Sequence, residues 1–253
     1  MRLTEYLLRS APTVARMDLI HCTNAGNGFE IFGRGELSPT PCLEYGADLL
    51  YLFYGRPAYK PGARIGASAN LDLAPIALVI DTSVLEAAVR MVPFDSGAFP
   101  RYEPLIGPGL KRTDFELAGD PTLPLRLVRA FYHTNRSYYD QQPGLLERDI
   151  APSVRAARAY ARLIADTAIR DTDDRLGTIE LQFSQSIPLA EALRAIIAPS
   201  QMLDDPEVLN ALAMCPEAAP ISYKTYGRFD PLSFAHTLYE RVDTFLESRG
   251  AFA

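Results

Sequence analysis

What this chain lacks narrows its function before anything it contains. Its 253 residues hold three cysteines, Cys22, Cys42 and Cys215. They are odd in number, widely spaced and form no Cys-x-x-Cys pair, so a disulfide framework is not expected and the usage fits a reducing compartment. No uninterrupted apolar stretch opens the chain, because Arg2, Glu5, Arg9, Arg16 and Asp18 punctuate its start, and a signal peptide is not expected. No run approaches the length of a bilayer crossing, so no membrane partner is expected. A cytoplasmic protein is the resulting expectation. Excess positive charge is missing too: the formal net charge of −6 gives no global pull toward nucleic acid, although a local basic face remains open. Internal repeats, low-complexity tracts and linkers are absent. Gly33-Arg34-Gly35 lacks the third glycine and the preceding strand of a dinucleotide fingerprint, which excludes a Rossmann site. His21, Cys22, Cys42 and His133 match no metal-ligand spacing, and no metal is expected.

What is present is an ordinary globular composition, 48% hydrophobic and 22% charged, on a chain long enough to bury a full core. The stretch Leu49 to Lys60, LLYLFYGRPAYK, begins as a buried aromatic strand and breaks at Gly55. Pro57 removes a donor and biases Arg56 toward an extended conformation, leaving a cation at the tip of a buried strand. Further strands are expected over Met17 to Thr23, Pro75 to Thr82, Leu176 to Phe183, Leu193 to Ala198 and Pro220 to Tyr226. Helices are expected over Thr4 to Ser10, Gly28 to Gly35, Ser153 to Ala168 and Pro206 to Met214, with a closing helix marked by Phe234, Leu238, Val242 and Phe245. Leu125, Val128, Phe131, Tyr132, Asn135 and Tyr139 follow helical spacing as one aromatic helix. Ser83 to Met91 fits a helix or an extended segment, residues 61–74 read as a loop, and PFDSGAF at Pro93 to Phe99 as a turn-rich loop. The fold expected is α+β, a single domain over residues 1–253 with a helical insertion at about 120–170.

Four segments carry side chains suited to chemistry. His21 and Thr23 alternate at the end of the first strand and share a face. Arg56 lies between Tyr54 and Tyr59. Asp95 sits in PFDSGAF. Glu180, flanked by Ile179 and Leu181, points with Thr178 and Gln182.

At these residues a family resemblance emerges. LIHCTNAGNGFEIFGRGELSP resembles the opening of NAD-dependent ADP-ribosyltransferases, with its His-x-Thr strand, an asparagine and a short helix. LLYLFYGRPAYK resembles the aromatic-arginine segment of DarT-type, DNA-modifying members, although here Pro57 follows the arginine directly. IELQFSQSIPLAEALRAIIAP is similar to the family's catalytic-glutamate strand and the hairpin after it. The three segments fall in the family's order. The resemblance implies the split mixed and antiparallel sheet of that fold, with NAD as substrate. It gives Glu180 and Arg56 catalytic roles and makes His21, Thr23, Asn24, Tyr54 and Tyr59 cofactor-binding residues. In that reading Glu180 accepts the 2′-hydroxyl proton of the nicotinamide ribose and stabilises developing positive charge. His21 binds a ribose hydroxyl with Thr23 in support, and Tyr54 or Tyr59 stacks on the nicotinamide. Arg56 pairs with the pyrophosphate or acts at the transfer site.

The implied activity is transfer of ADP-ribose from NAD to a nucleic-acid or protein acceptor with release of nicotinamide. It suits a toxin or phage-defence effector whose partner is an antitoxin or immunity protein. Two rivals stand beside it: a catalytically inactive module of the same fold that binds a nucleotide or a protein, and an interaction protein built around the aromatic helix over 123–142. Each residue also has an ordinary reading. His21 serves as a satisfied strand histidine, Arg56 as the brace of a turn, Glu180 as an exposed-face carboxylate and Asp95 as a turn-former. Arg155, Arg158 and Arg162 form either a solvated helix face or a phosphate-tracking surface.

Overall fold

The computed structural model describes residues 1–59, 66–117, 119–166 and 174–252. Lys60, which closes the aromatic stretch, residues 61–65 of the loop after it and the last residues of the expected 153–168 helix lie outside the described residues.

The strands in chain order are β1 (Leu19–Asn24), β2 (Glu36–Leu37), β3 (Thr40–Cys42), β4 (Ala47–Tyr54), β5 (Pro75–Ile80), β6 (Arg90–Val92), β7 (Glu180–Phe183), β8 (Ile187–Pro188), β9 (Leu193–Pro199) and β10 (Ala219–Tyr223). The helices are α1 (Leu3–Leu7), α2 (Ala25–Arg34), α3 (Phe99–Ile106), α4 (Leu123–Phe131), α5 (Asn135–Tyr139), α6 (Arg155–Ala165), α7 (Leu189–Ala192), α8 (Ser200–Leu203), α9 (Pro206–Ala213) and α10 (Pro231–Ser248).

Among the described residues eight strands form one mixed sheet in the order β10-β9-β5-β1-β4-β7-β6, with β3 added to β4. β9 and β10 run parallel and the other neighbours antiparallel. β5 is buried along its whole length, which its unbroken apolar sequence PIALVI requires. α10 packs against β5 and β9, α1 against α4, and α3 against α6. The edge-to-face contact of Phe131 with Tyr160, centroids 4.7 Å apart, ties α4 to α6.

The sheet is nearly two sheets. β1 meets β5 over six residue pairs, from Leu19 to Asn24, but meets β4 over two, Leu19 with Tyr54 and Ile20 with Phe53. The seam is closed at one end by Gly55 N–H donating to the Asp18 carbonyl at 3.0 Å. Beyond Ile20 the strands part.

Several sequence expectations shift in detail. The aromatic stretch from Leu123 breaks into α4 and α5 because His133 adopts a left-handed φ of 71°. β7 begins at Glu180, since Asp174–Gly177 coils into a 3-10 turn first. Ser83 to Met91 divides between a 3-10 turn and β6. α2 starts at Ala25, three residues earlier than its glycine-rich sequence implies, because Asn24 caps it by accepting from Asn27 N–H at 2.9 Å.

Gly55 has φ +60°, and a Cβ there lies 2.4 Å from Met17 Cε and 2.9 Å from Met17 Cβ. Gly55→Ala is therefore expected to destabilise the protein by about 1–3 kcal/mol. Chemical denaturation measures this, and a loss below about 0.5 kcal/mol contradicts the constraint placed on the seam.

Candidate functional site

Where β1 and β4 part, a backbone carbonyl is left without a strand partner, and a side chain takes it. His21 Nδ1 lies 2.9 Å from the Tyr51 carbonyl. A carbonyl only accepts, so Nδ1 carries the hydrogen and Nε2 remains an acceptor in the neutral ring. Burial lowers the His21 pKa, and the bond to Tyr51 partly opposes that, so the neutral form dominates at pH 7.

His21 and Tyr51 line two adjoining cavities. One, of about 270 Å³, runs under α2 and includes Thr23, Asn27 and Glu36. The other, of about 300 Å³, includes Phe53, Asp95, Ser96 and Glu180. Together they form a cleft with two lobes and an imidazole at the waist.

Sheet register builds the second lobe. Tyr51, Gln182 and Arg90 stand in one cross-strand row, and Phe53, Glu180 and Val92 in the next, so both rows share a face. β6 then turns at Asp95, which caps the next 3-10 turn by accepting from Gly97 N–H at 3.1 Å and pairs with Arg175 at 2.7 Å. That turn delivers Ser96 to Glu180. Ser96 Oγ donates to Glu180 Oε1 at 2.6 Å, and Ser96 N–H donates to Oε2 at 3.3 Å. Gln182 Nε2 donates to Oε1 at 2.7 Å and to Ser96 Oγ at 3.1 Å, while Arg90 Nη1 donates to Gln182 Oε1 at 2.6 Å.

Glu180 is 2% exposed. Burial pushes its carboxyl up to about 7, the donors Ser96 and Gln182 pull the other way, and the nearby Asp95 carboxylate raises it further. It is thus poised to hold or release a proton near neutrality, as acid–base groups in clefts are.

The remaining sequence candidates are distributed as follows. Thr23 lines the α2 lobe, its hydroxyl accepting from Asn27 Nδ2 at 2.8 Å. Asn24 is a helix cap. Tyr54 is fully buried, its hydroxyl accepting from Met17 N–H at 3.2 Å and its ring 6.3 Å from that of Tyr138, so it has no face to offer a ligand. Tyr59 is 6% exposed, which leaves it too little surface to stack on one. Arg56 is also buried and lines neither cavity. Its Nε donates to the Tyr139 carbonyl at 2.8 Å and its Nη1 to Thr178 Oγ1 at 3.2 Å, and its guanidinium lies 4.8 Å from the Tyr239 ring centroid. It braces the aromatic turn against α5, and its link to the site is the segment that leads into β7. Of the expected set, the structure brings His21, Thr23 and Glu180 to one cleft.

Sequence reasoning missed Tyr51, Ser96 and Arg175. Tyr51 sits in an apolar run whose aromatics are alike as text, and nothing local marks Ser96 as reaching across more than eighty residues to Glu180. The arginine stripe of α6 is partly a solvated face, with Arg155 and Arg162 exposed, yet each of its guanidinium groups also meets an acceptor within the chain. Arg162 donates to the Leu105 and Ile106 carbonyls at 2.8 and 3.0 Å, Arg155 to Pro108, and Arg158 to Glu147 at 3.0 Å. Arg162 thus satisfies the carbonyl end of α3, where the helix dipole favours positive charge, and Arg155 a carbonyl just beyond it. His133 packs over Gly144 in the turn after α4, and no group of three metal-ligating side chains occurs among the described residues. No helix among them is long and apolar enough to cross a membrane.

Neither a protein-family model nor a curated protein sequence matches the chain. Among solved structures, that of Thermus sp. 2.9 DarT in complex with carba-NAD+ matches over 83% of this chain and 96% of that one, at 12% identity and a TM-score of 0.40. At that identity and score, the chemistry of the cleft has to come from this chain's own residues.

The raised pKa makes Glu180 a source of pH-dependent stability. The folded state keeps a proton up to about pH 7 that the unfolded chain releases near its ordinary value of 4.5. That contribution is therefore complete below pH 4.5 and lost as pH rises through about 7. Glu180→Gln removes the dependence, and relative to wild type it is expected to gain about 3 kcal/mol between pH 4 and pH 8. Parallel denaturation curves for the two proteins, with equal differences at both pH values, contradict a proton held at Glu180.

Proposed function

We propose that this chain is an NAD-dependent ADP-ribosyltransferase whose nicotinamide half binds in the Glu180 lobe and whose adenosine half binds under α2. The observation that carries the proposal is a buried carboxylate, held by Ser96 and Gln182, lining a cleft whose two lobes share His21 and Tyr51. Two lobes joined at a polar waist suit a ligand made of two nucleoside halves.

Ionised Glu180 accepts a hydrogen bond from the 2′-hydroxyl of the nicotinamide ribose. It stabilises the positive charge that grows at C1′ as the bond to nicotinamide breaks. Nicotinamide leaves with the bonding pair, and the acceptor's nucleophile forms the new bond at C1′ and loses its proton. His21 Nε2 accepts from a ribose hydroxyl, with Thr23 lining the lobe beside α2 and Asn24 capping that helix. Tyr51, which borders both lobes, takes the stacking role that the family resemblance implied for Tyr54 or Tyr59. Arg56 acts indirectly, by holding the segment that leads into Glu180.

The acceptor belongs to the same proposal: a nucleic acid or a protein. Labelling a macromolecule with ADP-ribose harms a cell, which fits a toxin or phage-defence effector restrained by an antitoxin or immunity protein. A second reading, a nucleotide-binding module without turnover, draws on the burial of Glu180 and its three hydrogen bonds from Ser96 and Gln182.

Incubation of the purified chain with NAD is expected to release nicotinamide, with kcat/KM rising as pH passes through about 7. Glu180→Gln is expected to lower kcat on the order of 100-fold or more with NAD affinity retained. His21→Ala is expected to weaken NAD binding about tenfold. Calorimetric binding of NAD without nicotinamide release favours the module, and absence of binding overturns both readings.

A further inference from the structure

Glu180 has two oxygens, and its surroundings treat them differently. Oε1 receives the Ser96 hydroxyl at 2.6 Å and the Gln182 amide at 2.7 Å, both short and both from buried side chains. Oε2 receives the Ser96 N–H at 3.3 Å, a long bond. The carboxylate is thus anchored through one oxygen.

The orientation of the Gln182 amide follows from its other neighbour. Arg90 is donor-only, so the atom 2.6 Å from its Nη1 is the amide oxygen, and the NH₂ group must turn toward Glu180. Arg90 is itself held from outside, its guanidinium 4.0 Å from the centroid of Tyr45, with Arg112 4.3 Å from the same ring. A chain of contacts therefore runs from the β3–β4 turn, through Arg90 and Gln182, to one oxygen of Glu180.

We infer that Gln182 is a positioning residue for the reaction proposed above, clamped by Arg90 so that it pins Glu180 Oε1 and leaves Oε2 as the oxygen offered to the ligand. With the NH₂ group fixed toward it, Oε1 meets a donor in every state and the ionised carboxylate is favoured. If the amide turned over, its oxygen would face the carboxylate and disfavour ionisation. The other ionisable groups lining the Glu180 lobe are Asp95 from the loop after β6, Arg175 from the turn before β7, Tyr51 from β4, His21 and Cys22 from β1, Cys42 from β3 and Glu44 from the β3–β4 turn. Asp95 opposes ionisation of Glu180, and burial keeps His21 neutral and pushes the Cys22 thiol up to about 12. Gln182 and Ser96 are thus the side chains that favour the charged form.

The test titrates Glu180 directly. Protein labelled with ¹³C at the glutamate carboxyl is followed by NMR from pH 4 to 9, the Glu180 resonance being assigned by its loss in Glu180→Gln. Gln182→Met is expected to raise the Glu180 midpoint by about one pH unit, and Arg90→Gln to raise it by a smaller amount. In turnover of NAD, the acid limb of kcat/KM is expected to move by the same amounts, so that the loss of activity shrinks as pH rises. A midpoint that stays at its wild-type value in either variant overturns the inference, as does a loss equal at every pH. Should Gln182→Met fail to fold, Arg90→Gln alters a partly exposed side chain and decides alone. Wild-type protein that releases no nicotinamide defeats the proposed activity, while the NMR midpoints still judge the role of Gln182.

Discussion

The cleft exists because two strands stop pairing. β1 is zipped to β5 along its whole length and β4 to β7 over four residue pairs, yet β1 and β4 share two. The Gly55 turn fixes where that seam closes, and its backbone allows no side chain against Met17. Strands held firmly on their outer sides and loosely at the seam diverge under their own twist. His21 fills the gap by taking the Tyr51 carbonyl, which otherwise costs an unsatisfied buried acceptor. One hydrogen bond thus satisfies the backbone, fixes the tautomer of the imidazole and sets the waist between the lobes.

Much of this was legible in the sequence, and what was not has a physical cause. Continuous apolar runs gave β4, β5 and β9 nearly at their observed limits, because strands buried on both faces leave little else that such runs can be. Glu180 stood out by the same logic, as a carboxylate in an apolar strand. Chain breaks were harder: the left-handed His133 splits a helix whose spacing reads as continuous, since nothing in an aromatic-rich stretch announces a positive φ. Tyr54 and Arg56 misled for another reason. They flank a turn that does border the site, but alternation sends the Tyr54 ring into the core, and the Tyr139 carbonyl and Thr178 take the Arg56 guanidinium. Ser96 was invisible because its partner is distant in sequence.

The charge arrangement repeats one theme at three places. Arginines here serve the fold first. Arg162 of α6 closes the carbonyl end of α3, Arg175 holds the Asp95 turn, and Arg90 orients an amide. These guanidinium groups are engaged by internal acceptors, so their placement is explained by the fold.

The position of α3 has a mechanical meaning. Its first residue, Phe99, follows directly on the turn that carries Ser96, and its last carbonyls are gripped by Arg162 from α6. A helix of eight residues is a stiff rod about 12 Å long. Arg162 grips one end of that helix and the Ser96 turn leads into the other, so α6 and the hydroxyl partner of the carboxylate are joined through a single short helix.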